Sequence, residues 1–245
     1  MRDRLFILIL MTVMIPAGCG TSTEKTGGGD WYDRNAGSGA AVSWDTEGLS
    51  TGNDVDYFSD LEKDVLLHLN MARTDPARYA EEYIEPRLQY FSGMLYREPG
   101  KPILITAEGV DALEDCISDM KDMDSMQPLY PSEGIAMAAL DHALDLSRTG
   151  ETGHTGSDGS QFSLRIERYG EWRNTIGEVI SYGPLTGREI VLGLLIDDGV
   201  PDDSHRRNVL NPAFTLAGIA VEDHSAFGNV CVIDFAGDYT YAGYE

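Results

Sequence analysis

Regular spacing of apolar positions begins near Leu61 and runs almost to the C-terminus. Leu61, Val65, Leu69 and Ala72 recur at helical intervals, which predicts an amphipathic helix over residues 60–73. Ser59 and Glu62 form a capping box for its first turn, each side chain satisfying one main-chain N–H. Asp75-Pro76 predicts a second helix, with Asp75 as cap, Pro76 at the first position, and Tyr79, Ala80 and Tyr83 buried as far as Pro86. Residues 87–105, punctuated by Gly93, Pro99, Gly100 and Pro102, are predicted as a loop ending in Ile103-Leu104-Ile105. Thr106 then stands as the cap of a helix with Val110, Leu113, Cys116, Ile117 and Met120 on one stripe. Ser132 opens another, with Ile135, Ala139, Ala143 and Leu146 inward and His142 beside them. A histidine in such a place is more often bonded to main chain than a ligand.

Further on the period changes. Leu216 to Val221 and Val230 to Ala236 are short, apolar and partly β-branched, with a turn between Ser225 and Asn229, and predict an antiparallel hairpin. Thr175 to Tyr182 is a third strand. Helices that precede and flank a small sheet make an α+β, three-layer arrangement. Cys116 on its helix stripe, and Cys231 in strand parity with Ile233 and Phe235, are both predicted to be buried.

The N-terminus changes the picture of where the protein works. Arg2 and Arg4, the apolar run from Leu5 to Ile15, and then Pro16-Ala17-Gly18-Cys19 have the layout of an export signal over residues 1–19. A cysteine after Ala-Gly resembles a bacterial lipobox, which makes Cys19 the predicted site of lipidation; Pro16 departs from the usual aliphatic residue there. The expectation is an exported protein of the cell envelope, anchored through Cys19 or released by cleavage. Residues 20–58, rich in Gly, Ser, Thr, Asn and Asp without periodicity, are expected to be a flexible tether, leaving one domain over 59–245.

A formal charge of -23 excludes nucleic acid as a partner, because phosphate recognition needs clustered Lys and Arg. With only Cys116 and Cys231 besides Cys19, the chain is neither a disulfide scaffold nor a cysteine zinc site. It also has no H-E-x-x-H helix, no G-x-S-x-G elbow, no phosphate loop and no dinucleotide fingerprint. Asp158 reads as a turn former and the aspartates 197, 198, 202 and 203 as an acidic loop. What remains is His154, Glu178, Asp197 or Asp198, and His205, in three separate segments. Imidazole with carboxylate is common material for metal binding and proton transfer.

Gly153-His154-Thr155-Gly156, then Gly177-Glu178-Val179-Ile180, then Ser204-His205-Arg206-Arg207-Asn208-Val209-Leu210-Asn211-Pro212, then Gly218-Ile219-Ala220-Val221, resemble the bacterial branch of the CAP superfamily, the cysteine-rich secretory, antigen 5 and pathogenesis-related proteins. The resemblance runs from about Leu61 to Tyr241. It implies an α/β/α sandwich with a mainly antiparallel sheet and a cleft floored by a His-Glu-Glu-His tetrad whose imidazoles can share a divalent metal, usually zinc. Carried onto this chain, the histidines are His154 and His205, and Glu178 is the acid of a Gly-Glu-Asn motif with Val179 in place of the Asn. The other acid falls on Asp197, in Leu194-Leu195-Ile196-Asp197 where the family often has Trp-x-x-Glu.

Three functions follow from that resemblance and stay open at this stage. One is a binding module whose cleft takes a small apolar ligand, a lipid or a peptide, with any metal serving structure or capture. Another is a metal-assisted hydrolase with His154 and His205 as ligands, Glu178 as general base and Asp197 as the further catalytic carboxylate. The third is a protein-interaction surface above a purely structural tetrad. The first is preferred, because no nucleophile with an activating partner is readable in the chain.

Overall fold

The computed structural model describes residues 43–200 and 202–243; the export signal, Cys19 and the expected tether as far as residue 42 lie outside the described residues. Helix α1 (Asp60–Thr74) starts at the predicted capping box: Ser59 Oγ accepts from Glu62 N and Glu62 accepts from Ser59 N. The other Glu62 oxygen accepts from the main chain of Val221, 3.0 Å away. Val65, Leu66, Leu69 and Ala72 form its buried face. Asp75 caps α2 (Pro76–Tyr79), and the helical path then continues through a π turn (Ala80–Ile84) and a 3-10 turn (Glu85–Tyr90). Pro86 does not stop it, because the proline stands at the start of the 3-10 turn, where a missing N–H costs little.

The expected loop contains a small sheet, β1 (Phe91–Ser92), β2 (Leu95–Tyr96) and β3 (Leu104–Ile105). Thr106 is not a helix cap. Gly109 in the left-handed region breaks the path, α3 (Asp111–Asp122) begins after it, and the Thr106 hydroxyl donates to the carbonyl of Met94 instead. There follow β4 (Tyr130–Pro131), α4 (Glu133–Thr149), α5 (Phe162–Glu167), β5 (Gly170–Tyr182), α6 (Gly187–Ile196), α7 (Ser204–Val209), β6 (Leu216–His224) and β7 (Gly228–Tyr241). The predicted hairpin and third strand are β6, β7 and β5, each longer than its apolar core.

The main sheet runs β4-β6-β7-β5, antiparallel except for the short β4–β6 pairing. Strand alternation divides its residues between two layers. Val179, Ala217, Ile219, Cys231, Ile233 and Phe235 pack with α1, α3 and α6, whereas Ile180, Ala220, Val230 and Val232 pack with Ala139, Ala143 and Leu146 of α4. The result is the expected α/β/α sandwich. Gly218 sets how closely α4 approaches, since a Cβ there would lie 2.1 Å from the nitrogen of Ala136.

Residues 43–58 correct the tether boundary. Phe58 is buried, and Trp44, Leu49, Val55 and Tyr57 pack on the core beside α1. Asn70 donates to the Leu49 carbonyl, Thr51 to that of Leu129, and the Trp44 indole to Glu82 at 2.7 Å. The segment shows no periodicity because isolated side chains hold it as irregular chain. Cys116 and Cys231 are buried free thiols, and burial pushes the Cys116 thiol up to about 12. No helix among the described residues is long and apolar enough to cross a membrane.

Candidate functional site

His154 lies in the loop after α4, which ends at Gly150 in the left-handed conformation. Three contacts pin the loop: Gly153 N donates to the Tyr182 hydroxyl, His142 Nε2 donates to the Gly153 carbonyl, and Arg165 Nη2 donates to the His154 carbonyl. His142 is therefore the main-chain-bonded histidine expected from its place beside the helix stripe. Burial holds it neutral, lowering its pKa against the pull of Glu178.

The His154 ring then meets Glu178 on β5, with Nδ1 2.8 Å from Oε1. The other Glu178 oxygen accepts from Arg165 of α5 at 2.6 Å. Gly177 is required before it, because a Cβ would come within 2.9 Å of both Asn208 and the Phe214 ring. Burial alone would raise the Glu178 carboxyl, but the His154 bond and the Arg165 charge outweigh it and hold the group below its usual range. Across the ladder, Asp234 is fully buried, and among the described residues neither carboxyl oxygen has a hydrogen-bond partner. Burial, and then the charge of Glu178, push it well above the usual carboxylate range and favour its neutral form.

The second pair is built at a helix junction. Asp197 ends α6 in the left-handed conformation and its carboxylate caps α7: Oδ2 accepts from the main chain of His205 and Arg206, and Oδ1 lies 2.6 Å from His205 Nδ1. A shorter acid than Glu thus serves here, because the left-handed turn already brings its carboxylate to the start of α7. Buried Arg206 braces the junction through the Leu195 carbonyl, Asp119 and Asp203. Buried Arg73 of α1 clamps the far end of α7 by donating to the carbonyls of Val209, Asn211 and Phe214. Asp198 accepts from the N–H groups of Ala107 and Glu108, both at 2.8 Å, and so docks the β1–β3 sheet beside this pair. Asp158 is the expected turn former, accepting from Ser160 N and Arg168.

The four predicted site residues thus form two imidazole–carboxylate pairs, and no hydrogen bond or ion pair joins one pair to the other among the described residues. Both rings present Nδ1 to a carboxylate, which leaves Nε2 for a ligand, and their side chains are 43% and 25% exposed for His154 and His205. Carboxylate-oriented imidazoles of this kind suit a zinc-class cation. No group of three or more His, Cys, Asp or Glu side chains among the described residues could hold a metal ion, so any such ion would draw the rest of its shell from water or ligand. A polar cavity of about 170 Å3 beside the loop is lined in part by His142, Asp145, Ser157 and Arg165, and the Asp145 and Arg165 side chains there bond to the loop at Ser157 and Ser160.

Arg73, Arg165 and Asp234 escaped the sequence reading. Each had a signal: Arg73 falls on the helical face of Leu66 and Asn70, Arg165 stands between Leu164 and Ile166, and Asp234 interrupts the apolar run from Val230 to Ala236.

A search of curated proteins finds no match. Among solved structures, an outer surface protein of Borrelia burgdorferi is similar at 20% identity and a TM-score of 0.39, over 45% of this chain and 78% of that one. An extracellular protein of Bacillus anthracis containing an SCP domain gives 22% identity and a TM-score of 0.38, over 45% of this chain but only 34% of its own. A cysteine-rich secretory protein of Staphylococcus aureus gives 14% identity and 0.36, over 53% of this chain and 38% of its own. The match that assigns the chain is to the family itself and extends over residues 96–235, from β2 through both imidazole pairs to β7. By that match, the chain belongs to the CAP, or cysteine-rich secretory protein, family.

Proposed function

We propose that this is an exported, envelope-anchored binding module that captures a small apolar ligand, a lipid or a peptide in a cleft between its two imidazole pairs. A zinc-class cation on the free imidazole nitrogens is an accessory to capture. The observation that carries the reading is the full engagement of both carboxylates. Glu178 divides its oxygens between His154 and Arg165, and Asp197 divides its own between His205 and the start of α7. Every oxygen of the two carboxylates already accepts from the protein, and no serine, threonine or cysteine hydrogen-bonds to either ring among the described residues. Beside the second pair, the sheet docked by Asp198 exposes Met94, Ile103 and Ile105, the last at 60%. Such a surface suits apolar capture.

Metal-assisted hydrolysis is the second reading, favoured by the carboxylate at each Nδ1. The two separate when the full chain is titrated with a fluorescent long-chain fatty acid and, in parallel, with a short peptide of alternating lysine and threonine. Saturable binding of at least one probe, weakened about tenfold by His205→Ala and by Ile105→Asp, is expected. Turnover of an ester or peptide panel that disappears in Glu178→Gln, or the lack of any saturable binding, would overturn the binding reading.

A further inference from the structure

We propose that the cleft holds its ligand as an extended polypeptide that adds a strand to the outer edge of β5 over residues 176–182. This rests on the binding reading and names the ligand class. Among the described residues β5 ends the main sheet, so half of its main-chain groups have no neighbouring strand there. Which half follows from the ladder. Gly183 N donates to Asn229 O in continuation of the Tyr182↔Val230 register. Main-chain direction alternates in an antiparallel pair, so Gly177, Val179 and Ser181 face β7, while Ile176, Glu178, Ile180 and Tyr182 turn N–H and C=O outward. The opposite edge of the sheet gives the same parity: Val221 N and Ala217 O, two odd-numbered groups of β6, bond outward to Glu62 and Ser132.

That opposite edge is closed by the chain itself. On β5, no hydrogen bond reaches the outward main-chain groups of 176–182 among the described residues. They are also not a plain solvated edge. The Glu178 side chain is 0% exposed while the whole residue keeps 5%, so what solvent touches there is main chain. The strip lies in a recess, with the Gly153–His154 loop bonded to Tyr182 and Glu178 on one face, and Asn208 of α7 with Phe214 against Gly177 on the other. A recessed, unpaired backbone group is costly unless something pairs with it.

The outer part of the same strand is treated differently. A register shift between Arg173 and Ile176, a left-handed Asn174, and exposed Glu171 and Arg173 blunt it in the manner of a protected edge. Regular pairing with β7 resumes at Ile176 and runs unbroken to Tyr182, the stretch that carries Glu178. The outward groups of Glu178 and Ile180 are two residues apart, about 6.8 Å, which is the repeat of another polypeptide in strand form and of no acyl chain. A second copy of this chain does not fit, because the walls of the recess would block a second β5 and two bodies of charge -23 repel. The same charge selects cationic side chains on the peptide.

The test uses the nitrogen-15-labelled full chain and the alternating lysine–threonine peptide, with two derivatives N-methylated at every second amide in opposite frames. We expect amide shifts confined to 176–182, the His154 loop, the start of α7 and the β1–β3 sheet beside it, about tenfold weaker binding for one frame, and near-parental binding for the other. Equal binding by both frames, or shifts elsewhere, would overturn strand addition. If the peptide fails to bind while the fatty acid binds in a His205-dependent way, strand addition falls and the cleft reading stands; if neither binds, both fall.

Discussion

Asp234 is the residue whose chemistry differs most from its ordinary form. It is fully buried, unbonded at both oxygens among the described residues, and opposite an ionised Glu178. Its carboxyl is held well above its value in the unfolded chain, about 3.9, so folding takes up a proton at every pH between the two. The stability this group contributes is therefore whole below about pH 4 and is lost as pH rises towards the folded value. Asp234→Asn lacks that loss. The melting temperature of the variant relative to the parent should rise by a few degrees between about pH 4 and pH 8. Glu178 has the opposite sign: held low by His154 and Arg165, it contributes stability above its unfolded value of about 4.3, which is lost as pH falls through the folded value. That acid limb should survive in Asp234→Asn. A constant offset between the two melting curves across the window would contradict a raised Asp234 carboxyl.

At the scale of the element, the second imidazole pair depends on where α7 sits, and α7 is a six-residue helix that could not stand alone. Arg73 supplies the hold, with one guanidinium serving the carbonyls of Val209, Asn211, Phe214 and Gln127. Desolvation lowers its pKa only to about 10, so it stays charged at neutral pH. Arg73→Met should cost about 3 kcal/mol or more, from charge-assisted bonds lost and carbonyls left unpaired. The midpoint of urea unfolding measures it, and a loss below about 1 kcal/mol would show that α7 is held by other means. The same example marks how far a sequence can be read. Local rules placed α1, the α4 stripe and the β6–β7 hairpin, because capping boxes and alternation are written within a few residues. His154, Glu178, Asp197 and His205 were found from motifs. Arg73 and Asp234 were not, since their meaning depends on partners more than 50 residues away, and Thr106 misled because Gly109 and Asp198 redirect the chain after it.

For the whole molecule, charge, packing and attachment act together. A body of net charge -23 is repelled by anionic surfaces, so residence at a membrane would depend on an attachment such as a lipid on Cys19. We expect the full chain to partition with membranes and to take up a fatty-acid label, and Cys19→Ser to release it to the soluble fraction. Full membrane retention of the serine variant would rule out that anchor as the cause. Residues 43–58, packed on the core, belong to the domain and not to the spacer that composition suggests.

Glu62 makes that body behave as one unit. One of its oxygens closes the first turn of α1 and the other holds Val221 in the middle of β6. Fraying of the helix therefore exposes an N–H of the sheet, and peeling of the strand uncaps the helix. A single carboxylate sets the two layers to open together rather than in turn, so partial unfolding that frees α1 while leaving the sheet closed is suppressed.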